Sequence, residues 1–494
     1  MNFKAIAIYI GHILRLEGIL MLPAAAVAIR YGEGAELKVF LFTAAVTFII
    51  GQIMSKIKTQ RKGIYARDGF VTVALCWIAI SAFGALPFWI SGAIPGYVNC
   101  FFETVSGFTT TGATILTEIE SLPRSILYWR SFTHWVGGMG ILVFMLAVVS
   151  HSKGSGDTLH LLRAESPGPV VGKLTPTMKS TTRILYGIYI VMTVVLVFLL
   201  LAGGMSLFDA VCHAFATAGT GGFSTMNASI AAYQSNYIHI VLAIGMLMFG
   251  INFNIYYLVL MGKAGVALAN EELKAYLAII AAAVTLVVIN ILPLYESFWI
   301  ALRDSFFQVS SIITTTGFVT ADFNLWPQLS RAIIIVIMII GASAGSTGGG
   351  IKVTRLLILA KASKSEFMRL SHPQLVSTPR MDGKRIEDNV VRGTYIFMIF
   401  YIFICAVSIV SIAAIDNFST ETTVTAVLTC ISNVGPGLDM VGPVGNFSQF
   451  SPISKLILSF VMLAGRLELF PMLMLFGIGG RKIRRKGSDM IGKA

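Results

Sequence analysis

Runs of twenty or more apolar residues recur along this chain, and they decide what it can fold into. An α-helix rises ~1.5 Å per residue, so ~20 residues cross the ~30 Å of hydrocarbon in a bilayer. A membrane β-barrel would read instead as ~10-residue alternating segments. Charged residues make up 12% of the 494 and hydrophobic ones 55%. A soluble protein carries about 25% charge, twice as much polar surface as this chain offers. The expected class is an all-α polytopic membrane protein.

Ten spans are expected, near 3–29, 37–57, 69–92, 124–150, 183–204, 236–262, 274–295, 330–362, 392–415 and 452–478, with only the eighth interrupted. Arg15 and Glu17 break the first run, which reads as a retained helix rather than a cleaved signal peptide. The net charge is +13. In a soluble protein that would point to nucleic acid; here the excess sets orientation. Lys56, Lys58, Arg61, Lys62 and Arg67, then Lys173, Lys179 and Arg183, then Lys361, Lys364, Arg369, Arg380, Lys384 and Arg385, and finally Arg481 to Lys486 fall on one side if both termini are cytoplasmic. The opposite connections carry Glu118, Glu120, Asp209, Glu296, Asp304, Asp322, Asp416, Glu421 and Asp439, an acidic face that enriches cations.

Enzyme chemistry finds little support. The five cysteines (Cys76, Cys100, Cys212, Cys405, Cys430) are scattered, and the seven histidines lack metal spacing. No His-Glu-x-x-His occurs, and no Gly-x-Ser-x-Gly elbow stands out between a strand and a helix. His134 and His213 are expected as packing or interfacial side chains.

Four connections, between spans 3 and 4, 5 and 6, 7 and 8, and 9 and 10, open with an apolar stretch too short to cross. Re-entrant half-helices are the reading of that length. Each ends in a small-residue cluster: Phe108-Thr109-Thr110-Thr111-Gly112-Ala113, Ala218-Gly219-Thr220-Gly221-Gly222-Phe223, Ile313-Thr314-Thr315-Thr316-Gly317-Phe318 and Ser432-Asn433-Val434-Gly435-Pro436. Aligned on Gly112, Gly222, Gly317 and Gly435, they recur at intervals of 110, 95 and 118 residues. The unit of helix, half-helix, Thr/Gly strand and helix is therefore expected four times in the same orientation, over 63–160, 161–265, 266–372 and 373–494. Two extra N-terminal helices lie in 1–62. Ser206 with Asp209, and Ser419 with Thr422, have the spacing of N-caps.

Extended backbone at membrane depth is tolerated only where it lines a cavity, and rings of carbonyls there replace the hydration shell of a cation. Glycine supplies the positive φ that turns a carbonyl, and a half-helix C-terminus adds partial negative charge. A second glycine-rich stretch, Gly341-Ala342-Ser343-Ala344-Gly345-Ser346-Thr347-Gly348-Gly349-Gly350, interrupts the eighth span. It has phosphate-loop spacing, but Ile351 separates Gly350 from Lys352 and the flanks are membrane helices. Close helix packing and a flexible loop beneath the strands both remain open for it. Arg466, central in the tenth span, should face protein or water. It reads either as an ion-pair partner of another helix or as a positive charge near an inner pore. Glu468 lies ~200° around the helix from it and cannot easily be its partner.

These motifs resemble the Trk/Ktr/HKT superfamily of potassium transporters over nearly the whole chain, and the two extra helices favour the bacterial Trk branch. The resemblance implies four parallel membrane–pore–membrane repeats around a pseudo-fourfold pore. It carries a selectivity filter onto Thr110, Thr111, Gly112, Thr220, Gly221, Gly222, Thr315, Thr316, Gly317, Asn433, Val434 and Gly435, with potassium as the transported ion. It carries a gate onto Gly341, Gly345, Gly348, Gly349, Gly350 and Arg466. It further implies a homodimer in the bacterial inner membrane and a cytosolic TrkA-type ring binding ATP, ADP or NAD(H), since 151–182 and 363–391 are too short for a nucleotide domain. No cofactor is expected in this chain. The fourth strand departs from the Thr-rich pattern. A symporter coupled to Na⁺ or H⁺ stays open, although only Glu17, Glu103 and Glu468 lie deep enough for a relay; an integral membrane enzyme is the remaining alternative.

Overall fold

The computed structural model describes residues 2–58, 66–140, 178–372, 374 and 378–476. The basic residues 61–62, 173 and 481–486, the expected inner end of the fourth span and the segment 151–177 lie outside them. In chain order the helices are α1 (Phe3–Leu20), α2 (Leu22–Tyr31), α3 (Gly34–Ser55), α4 (Ala66–Gly84), α5 (Leu86–Ile90), α6 (Tyr97–Phe108) and α7 (Arg124–Gly138). Then come α8 (Met178–Ala202), α9 (Leu207–Gly219), α10 (Asn236–Phe249), α11 (Phe253–Leu260), α12 (Ala264–Ala269) and α13 (Glu271–Ile291). The last are α14 (Phe298–Ile313), α15 (Gln328–Ile340), α16 (Val353–Ser371), α17 (Asp388–Ile415), α18 (Thr420–Ser432), α19 (Pro452–Arg466) and α20 (Phe470–Phe476). A small antiparallel hairpin, Arg380–Met381 with Lys384–Arg385, precedes α17.

Among the described residues six helices or joined helices are long and apolar enough to cross a bilayer, or seven if α10 and α11 count as one span. The expectation of a single interrupted span needs correcting. The sixth span bends by 90° between α10 and α11 at Gly250-Ile251-Asn252. The tenth breaks between α19 and α20, where Glu468 and Leu469 both take positive φ, 56° and 69°. The eighth parts between α15 and α16 as expected, and α7 ends at Gly138. A break inside an apolar run leaves amides without helical partners, so it survives only where other groups satisfy them. Here Phe253 N–H donates to Gly345 O at 3.0 Å, and Ser343 N–H to Gly250 O at 3.1 Å. One break is thus satisfied by another.

The half-helices α6, α9, α14 and α18 are buried over their C-terminal turns. The capping spacing holds: Ser206 accepts from Asp209 N–H and Ser419 from Thr422 N–H, each at 3.1 Å. Each cap satisfies an amide at the exposed end of a helix whose other end is buried.

Candidate functional site

The four Thr/Gly strands begin with the same turn. Thr111 N–H donates to Ser106 O, Gly221 to Ala216, Thr316 to Ser311 and Val434 to Thr429, at 2.8 to 3.0 Å. One residue earlier, Thr110, Thr220, Thr315 and Asn433 donate three residues back, at 3.0 to 3.3 Å. This pair of bonds closes a helix through one left-handed residue, normally glycine. Here that residue is Thr110, Thr220, Thr315 or Asn433, with φ of 55°, 56°, 58° and 55°. A β-branched residue held there costs ~1–2 kcal/mol. Asparagine tolerates the conformation better, which is the physical reason that the fourth strand departs from threonine without departing in geometry.

Gly112, Gly222, Gly317 and Gly435 follow two residues later with φ of 79°, 76°, 84° and 100°. A Cβ on Gly112 would lie 2.1 Å from Gly221 O, one on Gly222 2.0 Å from Thr316 O, one on Gly317 2.1 Å from Val434 O, and one on Gly435 2.7 Å from Thr111 O. Each strand's glycine therefore abuts the carbonyl just before the next strand's glycine, and the fourth returns to the first. The contacts close a ring. A cavity of about 140 Å³ lies against it, lined by all four glycines together with Arg130 and Asn446.

Beneath the ring the segment between α15 and α16 is largely buried rather than free. Ala344 N–H donates to Glu272 Oε1 at 2.6 Å, Gly349 N–H to Thr315 Oγ1 at 2.7 Å, and Thr347 Oγ1 to Phe249 O at 3.2 Å. A Cβ on Gly349 would come within 2.4 Å of Ser432 O, so only glycine lets this backbone rest against the fourth strand. Of the residues carried into a gate, Gly341, Gly345 and Gly350 take φ near 70° (72°, 70° and 75°), and Gly348 packs on Ala342. In this arrangement the loop is tied to its neighbours at several residues. A second cavity, of about 110 Å³, is lined by Gly348, Gly349, Lys352, Arg466, Glu468 and Trp77.

Arg466 donates to Thr347 O at 2.7 Å and to Gly137 O and Gly138 O at 2.6 and 2.7 Å. These bonds engage main-chain oxygens of two other segments. They join the loop to the C-terminal end of α7, where carbonyls lack helical partners and the dipole favours a cation. Glu468, just past the end of α19, pairs with Lys352 at 3.3 Å and with Arg355.

Arg130 was not singled out in the sequence, and the partners of Glu103, His134 and His213 could not be read there. Arg130 pairs with Glu103 at 2.7 Å, donates to Ser224 O at 3.0 Å and lies 3.5 Å from the centre of the Phe223 ring. Glu103 also accepts from Ile115 N–H at 3.0 Å. His213 bridges Asp209 O and Ser224 Oγ, at 2.7 and 2.9 Å, and His134 bridges two of the half-helix units. Glu17 is buried, with neither carboxylate oxygen hydrogen-bonded among the described residues. No group of three or more metal-ligating side chains occurs among the described residues.

A family model for cation transport proteins, TrkH, matches residues 36–481. The Trk system potassium uptake protein TrkH of Salmonella typhimurium is 37% identical over 487 residues, covering 96% of this chain and 99% of that protein. The Trk system potassium uptake protein TrkG of Escherichia coli (strain K12) is 33% identical over 477 residues, covering 94% and 96%. Among solved structures, the potassium transporter TrkH from Vibrio parahaemolyticus superposes with a TM-score of 0.86 at 32% identity, covering 96% of this chain and 98% of that one.

Proposed function

The chain belongs to the TrkH family of cation transport proteins, and from that membership we propose that its four Thr/Gly strands form one potassium-selective filter around a pseudo-fourfold pore. It is a potassium uptake transporter of the bacterial inner membrane and not an enzyme. The observation that carries the filter reading is the closed ring of glycine-to-carbonyl contacts through Gly112, Gly222, Gly317 and Gly435.

Dehydrating a cation is costly unless oxygens are already in place. Carbonyls held by four matched helix ends supply them without reorganisation. The strained residues Thr110, Thr220 and Thr315 are retained because the turn they make aims the following carbonyls into a shared space. Four half-helix C-termini add partial negative charge beneath that space. The ring's size rests on backbone contacts, which suits a larger, weakly hydrated ion over sodium.

The loop from Gly341 to Gly350, tied to Thr315 and held by Arg466, serves as the gate under this filter. Both termini lie in the cytoplasm on the charge distribution, and the subunit works as a homodimer with a cytosolic nucleotide-binding ring of the TrkA type. Channel-like conduction is supported by the engagement of two of the three deep carboxylates, Glu103 and Glu468, by Arg130, Lys352 and Arg355, which leaves Glu17 for any relay. Purified protein in liposomes tests the reading: potassium and rubidium should permeate and sodium and lithium poorly, and equal rubidium and sodium rates would overturn it.

A further inference from the structure

The second strand lacks something that the others have. At the positions three and one before the ring glycine, strand one carries Thr109 and Thr111, whose hydroxyls meet at 2.8 Å, and strand three carries Thr314 and Thr316, also at 2.8 Å. Strand four carries Ser432 and Val434. Strand two has Gly219 and Gly221, with no side chains at all. The space is filled from α7 instead. A Cβ on Gly221 would lie 2.4 Å from Cγ and Nδ1 of His134, and one on Gly219 would lie 2.2 Å from His134 O.

The His134 ring is fully buried, and its two nitrogens have different partners. Nδ1 lies 2.7 Å from Gly107 O, at the end of α6, and Nε2 lies 3.2 Å from Phe223 N. A carbonyl only accepts and an amide N–H only donates, so Nδ1 carries the proton and Nε2 accepts. Phe223 N–H belongs to the same peptide plane as Gly222 C=O, and in a trans peptide the two point in opposite directions. An N–H drawn outward to His134 therefore turns the Gly222 carbonyl inward. Phe223 is further fixed between the His134 ring, 4.1 Å away between centroids, and the Arg130 guanidinium. At the corresponding position strand four has Pro436, which has no N–H to anchor.

We propose that His134 is a specificity-determining positioning residue that supplies the missing side-chain wall of the second strand and sets the direction of the Gly222 carbonyl. This rests on the filter reading above. The imidazole does from a neighbouring helix what the threonine pair does within strands one and three, and it ties the end of α6 to strand two.

The test is the ratio of rubidium to sodium flux in proteoliposomes, per unit of monodisperse protein. His134→Phe keeps a ring of similar bulk and loses both hydrogen bonds; the ratio should fall about tenfold, the scale of one lost buried hydrogen bond. Gly221→Thr alone places a side chain inside the imidazole and should lose folded protein or discrimination. Combining Gly221→Thr with His134→Ala gives strand two the side chain that strands one and three carry, and should recover yield and ratio relative to Gly221→Thr alone, so that the two changes are coupled. An unchanged ratio in folded His134→Phe, or additive effects in the pair, would overturn the proposal. If His134→Phe does not fold, the coupling in the pair decides. Gly317→Ala separates the two levels of the claim. If it lowers the ratio and His134→Phe does not, only the histidine proposal fails; if neither changes it, the filter reading fails.

Discussion

The main-chain N–H of Gly349 donates to Thr315 Oγ1 at 2.7 Å, so the loop that interrupts the eighth span hangs directly from the left-handed residue that opens the third Thr/Gly strand. Filter and gate, on this account, share a hydrogen bond. Thr315→Val removes the acceptor and leaves the Gly349 amide buried without it, at a cost of ~1–3 kcal/mol to the closed arrangement. Each 1–2 kcal/mol is a factor of roughly 5–30 in population. Rubidium flux without any regulatory partner should rise by that order, and Thr315→Ser, which keeps the hydroxyl, should restore the parent rate. Equal flux in the parent and the Val variant would count against the tether.

Arg466 gives a second handle on the same loop. Its three hydrogen bonds to Thr347, Gly137 and Gly138 cannot all be copied by the compact ammonium of lysine. Arg466→Ala should leak most, and Arg466→Lys should fall between it and the parent because charge is kept while bonds are lost. A Lys variant matching the parent would mean that the charge alone forms the barrier. An Ala variant that folds normally and conducts no faster would remove Arg466 from the gate.

The ring glycines respond differently. A side chain at Gly112 or Gly317 would meet a backbone carbonyl at 2.1 Å, on a residue with positive φ. Gly112→Ser therefore displaces the carbonyl of Gly221 as well as straining its own strand, and the rubidium-to-sodium ratio should fall at least tenfold, about 1.4 kcal/mol. Folding should survive, since the Gly222–Thr316 and Gly317–Val434 contacts of the ring are untouched. A folded Gly112→Ser protein with the parent ratio would place the ions elsewhere.

Acid should act on the fold through Asp439. Its carboxylate accepts from the Ser419 and Thr422 hydroxyls, and those bonds hold it below the usual aspartate range. A folded-state value below the unfolded one contributes stability at pH above ~4 that is lost as pH falls through the folded value. Thermal melts in detergent should show an acid decline below pH ~4 that is shallower in Asp439→Asn. Superimposable melts of the two proteins across that window would contradict the assignment.

Local chemistry made much of this site legible from the sequence. The registers of Gly112, Gly222, Gly317 and Gly435 were readable because each needs a glycine at one fixed place after an apolar half-helix. The Gly341–Gly350 break was readable because consecutive glycines cost ~1 kcal/mol each in a helix. Asn433 was legible only as an exception; its left-handed φ of 55° explains it. The break at Glu468–Leu469 was not legible because its residues are ordinary helix formers whose amides bond back to Gly465 and Ala464. The break at Gly250–Asn252 was not legible because Phe253 N–H and Gly250 O find their partners in the distant Gly341–Gly350 segment. His134 was hidden for the same reason. Its partners, Gly107 and Phe223, belong to other elements, and nothing within α7 marks it.

The most direct measurement is the position of the ion itself. Crystals of the purified protein grown with rubidium or thallium in place of potassium should show anomalous density among the carbonyls of Thr111, Gly221, Thr316 and Val434, and sodium-only crystals should lack strong density there. Rubidium bound elsewhere in the pore, with no density at that ring in protein that still conducts, would contradict the account.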